Sequence, residues 1–350
     1  MEKLKANKEF GKTGLSVPPI IYGTSYLGNL YADIGKAAKL EIVKKWFECT
    51  EKPVVIDSAG KYGAGLALEM IGELLDELNI DPDDVIISNK LAWYRVPLTS
   101  DEPTFEPGAW ANLKYDAVQR ISYQGILDCY EQGNNLLGGK YKTSLVSVHD
   151  PDEYLNTAKS ESEKEDKLND IYEAYKALFE LKEKGEIKGI GVGSKDWKII
   201  KDLSQSLNFD WVMFANKFTI YHHPLEMLEF IDTLHNNGVG IVNSAVFNAG
   251  FLTGGQFFDY VKIDQDDPKY KHLFLWRDKF HAICDQFKVK PSDACIQFGI
   301  SHPAIAGIAL NTSKPEKMPA NVNIIQKVFP TEFWKTLKNE GIIDPGYKYL

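Results

Sequence analysis

Along the chain, short runs of β-branched and apolar residues alternate with longer stretches whose apolar positions recur every three or four residues. Eight runs of the first kind occupy residues 20–23, 54–57, 85–90, 145–149, 189–193, 211–215, 240–245 and 305–310. Residues 36–49, 66–79, 168–184 and 225–236, which lie between them, carry the helical periodicity. Strands that are apolar throughout and separated by helices indicate a parallel sheet covered on both faces. Eight such units predict an α/β fold, a single (β/α)8 TIM barrel, in one domain over residues 1–350.

Proline and glycine punctuate these units. Asp81-Pro82-Asp83-Asp84 ends one helix, Lys290-Pro291-Ser292 starts another, and Gly185 closes the 168–184 helix. The charged run 159–167 reads as a solvated approach to that helix. Two long irregular stretches, 92–112 and 256–268, follow the third and seventh strands. Loops of that length are uncommon unless functional, and in a barrel the loops after strands build the active site.

Composition narrows the setting. The 350 residues are 44% hydrophobic and 25% charged, an ordinary globular balance. A chain this long buries roughly 75% of its unfolded surface and needs neither disulfide nor metal to fold. Cys49, Cys129, Cys284 and Cys295 form no CxxC pair, so reduced thiols and a cytoplasmic location are expected. The net charge of -9 weighs against nucleic acid or an anionic membrane as partner. The first seven residues lack the apolar run of a signal peptide, and the longest apolar stretch, 294–310, is interrupted by Gln297, Ser301, His302 and Pro303. A small-molecule partner is expected; the pattern carries no signal for oligomeric state.

Polar residues at the ends of barrel strands are where chemistry is sought first. Asp57, Lys90 and His149 end the second, third and fourth strands, and Tyr62 follows closely after Asp57. A tyrosine with its ordinary pKa near 10 shuttles protons poorly at neutral pH. A neighbouring ammonium lowers that value, and a carboxylate holds the ammonium charged and in place. Asp57, Lys90 and Tyr62 thus form a candidate proton relay, with His149 left to orient a substrate oxygen. For any one residue a rim salt bridge, a packed ring or a bonded imidazole is the simpler account; the four together favour chemistry. Lys90 could instead form a Schiff base, as in a lyase. A metal site from His149, Asp150, Asp152, His222 and His223 is set aside: the aspartates suit a turn and His222-His223-Pro224 leads into a helix. No metal is expected.

A redox reaction needs a cofactor, and the Rossmann fingerprint is missing, because neither Gly189-Ile190-Gly191-Val192-Gly193 nor Gly63-Ala64-Gly65 continues as GxGxxG. The alternative lies after the eighth strand, where Asn311-Thr312-Ser313-Lys314-Pro315-Glu316 supplies capping residues and a proline at a helix start. Such an end offers free amides to a phosphate, and Lys317 adds a cation. A capped surface helix without ligand accounts for the same residues.

Several motifs in order are similar to those of the aldo-keto reductase superfamily over nearly the whole chain. They are Phe10-Gly11-Lys12-Thr13-Gly14-Leu15-Ser16-Val17-Pro18, then Ile56-Asp57-Ser58-Ala59-Gly60-Lys61-Tyr62-Gly63 with Glu69 and Gly72, then Lys90 and His149-Asp150-Pro151-Asp152. The resemblance implies an N-terminal β-hairpin, extended rim loops, and NAD or NADP as cofactor. It implies Tyr62 as general acid and base, Lys90 and Asp57 as its tuning pair, and His149 as the donor to the substrate oxygen. Within the superfamily, Tyr62-Gly63-Ala64-Gly65-Leu66 and Val246-Phe247-Asn248-Ala249-Gly250-Phe251-Leu252 resemble the aldose 1-dehydrogenase branch acting on L-fucose, D-threo-aldoses or L-galactose. That branch implies oxidation of a sugar at C1 to its lactone. Reduction of non-sugar aldehydes or ketones and a non-catalytic nucleotide-binding regulatory barrel are the alternatives.

Carried over by position, cofactor contacts are expected from Gly23, Thr24, Ser194, Asn216, Asn243, Ala245, Asn248, Gly250, Leu252, Asn311, Thr312, Lys317 and Asn321. The chain departs from the wider pattern in three places. Ser194-Lys195 and Asn216-Lys217 stand where a Ser-Asn pair and a Gln hold the carboxamide, and the stacking aromatic is replaced near Asn243. One cation is lost at the 2′-phosphate site, where Asn311, Thr312 and Lys317 align, which puts NAD ahead of NADP. Tyr26, Trp93, Tyr94 and Trp110 are candidates for the sugar-facing wall.

Overall fold

All eight apolar runs are strands in the computed structural model, which describes residues 3–350. They are β1 (Ile20–Gly23), β2 (Val54–Ala59), β3 (Val85–Leu91), β4 (Leu145–His149), β5 (Gly189–Ser194), β6 (Trp211–Ala215), β7 (Gly240–Ser244) and β8 (Ile305–Leu310). The strands pair in parallel and in chain order, and β8 returns to β1 to close the barrel. Helices follow every strand, among them Gly35–Cys49, Leu66–Glu77, Tyr123–Leu136, Glu161–Glu183 and Leu225–Asn236.

Two apolar layers follow from the two-residue period of the strands. Inward positions, among them Ile21, Val55, Ile86, Leu145, Trp211 and Val242, fill the barrel together with Phe10 and Val17 from the N-terminal hairpin (Lys8–Glu9 with Ser16–Val17). That hairpin plugs the end opposite the strand C-termini, with the Phe10 and Trp211 rings 6.0 Å apart. Outward positions such as Ile56, Ile87 and Val148 pack against the helices. The inward residues of β5 are Gly189, Gly191 and Gly193. A methyl group at Gly191 would overlap the Trp211 indole, so the bare face of β5 is what lets Trp211 fill the barrel.

Three segments differ from expectation. The charged run 159–167 forms the first turns of the Glu161–Glu183 helix: Ser160 accepts from the Glu163 amide, while the Glu163 carboxylate accepts from the Lys159 amide. The stretch 92–112 holds a strand, Trp93–Pro97, paired antiparallel with Tyr115–Gln119. The stretch 256–268 holds a two-residue hairpin, Phe257–Phe258 with Val261–Lys262, turning through Asp259 and Tyr260.

Candidate active site

Strand alternation delivers Asp57 on β2, Lys90 on β3 and His149 on β4 to inward positions at the C-terminal ends of adjacent strands, all buried. Lys90 Nζ donates directly to Asp57 Oδ2. The half-buried Tyr62 comes from the loop after β2, and its ring centroid lies 4.9 Å from Lys90 Nζ. The His149 ring stands edge-on to Tyr62 at 5.8 Å, and the Trp110 ring lies tilted against Tyr62 at 6.0 Å. The Tyr62 loop is seated by contact of two backbones: the Gly28 position leaves room only for hydrogen, since a Cβ there would lie 2.7 Å from the Tyr62 carbonyl. All four residues read from the strand ends therefore meet at one mouth.

The electrostatics correct one expectation. Tyr62 was expected to be lowered by Lys90, yet burial pushes its phenol well above the ordinary value, and the Asp57 and Asp150 charges add to the rise; Lys61 opposes. Burial, then Lys61, Lys90 and Lys195, push His149 well below the usual imidazole range. At neutral pH the site therefore holds a protonated phenol beside a neutral imidazole.

A charged wall continues from these groups. Lys61 Nζ lies 2.7 Å from Glu106 Oε1, 3.1 Å from Glu153 Oε2 and 3.7 Å from Asp150 Oδ2. Lys195 pairs directly with Glu153. Asp150, in the left-handed conformation with φ 47°, has its carboxylate 3.5 Å from His149 Nε2 and is pushed up to about 7, chiefly by burial. Sequence reasoning assigned Asp150 only to a turn and gave Lys61, Glu106 and Glu153 no role.

The short hairpin crosses above this wall. Its turn residues both have positive φ, and each meets a lysine from a strand end: Lys217 Nζ is 3.1 Å from Asp259 Oδ2, and Lys195 lies 5.0 Å from the Tyr260 ring. Asn248 donates to Asp259 Oδ1 at 2.9 Å, and Phe257 stacks on Tyr31 at 5.8 Å. The two lysines that depart from the family pattern thus hold the hairpin.

The other expected contacts divide. Trp110 and Trp93 join Phe105 in an aromatic cluster against Tyr62. Tyr94 does not: it packs against the main core, with the Arg120 guanidinium 4.1 Å over its ring. Tyr26 is half-buried in the loop after β1. Asn243 is engaged on one side only, its Oδ1 being buried without a protein partner. It is one residue out of phase with inward Val242, and its amide donates to the Phe218 and Gly299 carbonyls in the helix layer. Leu252 is fully buried in the core, and Thr24 is buried with its hydroxyl donating to the Asp57 carbonyl. The buried Ser194 hydroxyl is engaged by Asp196.

Other positions remain open. Asn216 has both amide atoms buried without a protein partner, as is Asn248 Oδ1. These two residues line a cavity of about 340 Å³ beneath the hairpin, with Lys217 and Tyr221. Gly23, Ala245 and Gly250 are part-exposed at or beyond strand ends. After β8, Asn311 donates to Ser25, Thr312 Oγ1 accepts from the Lys314 amide at 3.1 Å, and Lys317 is exposed. The expected helix start at Pro315 is a single 3₁₀ turn, Pro315–Lys317, before the helix Met318–Ile325 that carries Asn321. His222 and His223 each bond a backbone carbonyl through Nδ1, and no cluster of three His, Cys, Asp or Glu among the described residues is arranged around a metal position.

The family model for the aldo/keto reductase family matches residues 19–340, almost the entire barrel. This chain belongs to the aldo/keto reductase family. It is accordingly an oxidoreductase, of a family that uses NAD(P)H. A pyridoxal 4-dehydrogenase of Microbacterium luteolum is 28% identical over 97% of this aldo/keto reductase and 99% of its own length. A D-threo-aldose 1-dehydrogenase of a Pseudomonas species is 23% identical over 94% and 96%. Among solved structures, an aldo-keto reductase from Bacillus halodurans superposes with a TM-score of 0.67 at 18% identity, covering 99% of this chain and 98% of that one. The glycerol dehydrogenase of Gluconobacter oxydans gives 0.67 at 15% identity, over 97% and 98%. No helix among the described residues is long and apolar enough to cross a membrane.

Proposed function

We propose that this aldo/keto reductase transfers hydride between a nicotinamide dinucleotide and a small hydroxylated aldehyde in its cyclic hemiacetal form, oxidising an aldose-like substrate at C1 to the lactone. The convergence of Asp57, Lys90, Tyr62 and His149 on one mouth carries the proposal. An aldose presents a hemiacetal carbon at C1, and pyridoxal, with a hydroxymethyl group beside its aldehyde, closes to the same group. The names of the two relatives therefore converge on one functional group.

A bound nicotinamide would supply the hydride acceptor. The orphaned buried amide of Asn216 and the Asn248 oxygen fit its polar groups, and Asn311, Thr312, Lys317 and Asn321 fit its phosphate end. NAD is favoured over NADP, because Asn311 is a neutral amide already bonded to Ser25. Tyr62 takes the hydroxyl proton in oxidation as the phenolate, after first giving up its own proton to solvent, and as the phenol donates a proton in reduction. His149, held neutral, donates through Nε2 to the substrate oxygen. Lys90, fixed by Asp57, keeps positive charge beside the phenol, and that same ion contact counts against a free amine for a Schiff base.

The test follows nicotinamide absorbance with NAD and NADP across aldoses, pyridoxal and simple aldehydes. The expected result is turnover with at least one cyclic hemiacetal, lost in Tyr62→Phe with nucleotide binding retained. Absence of turnover across the panel, or near-normal turnover in Tyr62→Phe, overturns the proposal.

A further inference from the structure

Of the three wall carboxylates, none part of the proton relay, Asp150 alone lies against His149. Asp150 is 7% exposed and fixed in the left-handed conformation at the end of β4. Its carboxylate lies 3.5 Å from His149 Nε2, the atom assigned above to the substrate oxygen under the proposed reaction, and its charge is felt by the Tyr62 phenol. Lys61 at 3.7 Å leans on it from the loop after β2, but Lys61 makes its closer contacts with Glu106 and Glu153. Among the described residues no hydrogen-bond donor within hydrogen-bonding distance is committed to the Asp150 side chain. A buried carboxylate in that condition has acceptor capacity left for an incoming hydroxyl.

We infer that Asp150 is a specificity residue, accepting a hydrogen bond from the substrate hydroxyl on the carbon next to the reacting one. This rests on the oxidation proposed above. Two acceptor and donor groups 3.5 Å apart suit oxygens on adjacent carbons of one ring: His149 takes the reacting oxygen and Asp150 its neighbour. A site built to bond a hydroxyl rejects the analogue lacking it, because the buried polar group is then left unpaired. The position thereby separates sugars and α-hydroxyaldehydes from plain aldehydes.

A cycle of two enzymes and two substrates tests this. Native protein and Asp150→Ala are each assayed on an aldose that turns over and on its 2-deoxy analogue, with nucleotide binding confirming that the variant is folded. Assayed above pH 7, where the Asp150 carboxyl is ionised, loss of a hydrogen bond to this charged acceptor lowers kcat/KM about 10- to 100-fold on the aldose. On the 2-deoxy sugar the loss is expected to be about 10-fold smaller, confined to the changed field at His149 and Tyr62, since its hydrogen-bond partner is already missing. Asp150→Asn, which keeps an acceptor without charge, falls between. Equal losses on both sugars would make Asp150 merely structural and overturn the inference. Native protein inactive on every hydroxylated aldehyde overturns the proposed reaction and the inference with it, whereas native activity with equal variant losses overturns the inference alone.

Discussion

The ion pair at the floor of the site gives the sharpest test of how stability and chemistry are divided. Lys90 and Asp57 are each 3% exposed and in direct contact, and Asp57 Oδ1 has no protein partner. Replacing Lys90 by Met strands an unpaired buried carboxylate, and breaking a buried pair in this way costs about 3–5 kcal/mol. That is a large share of the roughly 5–15 kcal/mol holding a domain together. With a urea slope on the order of 3 kcal/mol per molar, the unfolding midpoint falls by about 1 M or more. The double variant Asp57→Leu with Lys90→Met removes both charges from an interior lined by Val55, Leu145 and Trp211. It is expected to recover the native midpoint or exceed it, by about 1–4 kcal/mol, while remaining inactive. Urea unfolding followed by tryptophan fluorescence reads both outcomes. A Lys90→Met midpoint equal to native, or a double variant weaker than either single one, would refute the reasoning.

Four further outcomes are expected. Because the Tyr62 pKa is raised, its phenol stays protonated below that value, so the oxidation rate should climb with pH through neutrality towards 10 and beyond while reduction stays flat; a plateau in oxidation by pH ~8 would mean that Lys90 prevails over burial. Gly28→Ala pushes against the Tyr62 carbonyl at 2.7 Å, and a displacement of about 1 Å lowers kcat on the order of 100-fold with nucleotide affinity kept; unchanged kcat would show that the loop yields elsewhere. Asp259→Ala releases both Lys217 and Asn248, so limited proteolysis should cut faster within 256–268 while the thermal midpoint barely moves. All four cysteines are buried and free, with Cys129 and Cys284 pushed up to about 12 by burial, so no thiol should react with a disulfide reagent until the protein is unfolded.

The strands were legible because a doubly covered parallel sheet needs unbroken apolar runs, and the strand-end trio followed from where those runs stop. The same period of two puts Asn243 one residue out of phase with inward Val242 and turns Tyr94 away from Trp93 and the mouth. Tyr62 was placed correctly but its titration was misjudged, since proximity to a lysine is visible in sequence order and the depth of burial that outweighs it is not. The charged wall had no local signature. Lys61, Glu106, Asp150 and Lys195 come from the loops after β2, β3, β4 and β5, and only closure of the barrel brings them together. The two rim hairpins were read as irregular because their strands are short and lack the apolar continuity of the barrel.

The wall also sets a direction for traffic through the mouth. It presents three carboxylates, Glu106, Asp150 and Glu153, to two ammonium groups, Lys61 and Lys195, beside an imidazole kept neutral. Under the proposed reaction the lactone opens in water to a carboxylate, and Asp150, pushed up to about 7, sets the sign it meets: above that pH the wall carries net negative charge and repels it. On that reading the hydrolysed product is poorly placed to return and compete with neutral substrate at alkaline pH, and the same carboxylate that is proposed to take a substrate hydroxyl also governs how readily an anion re-enters the mouth.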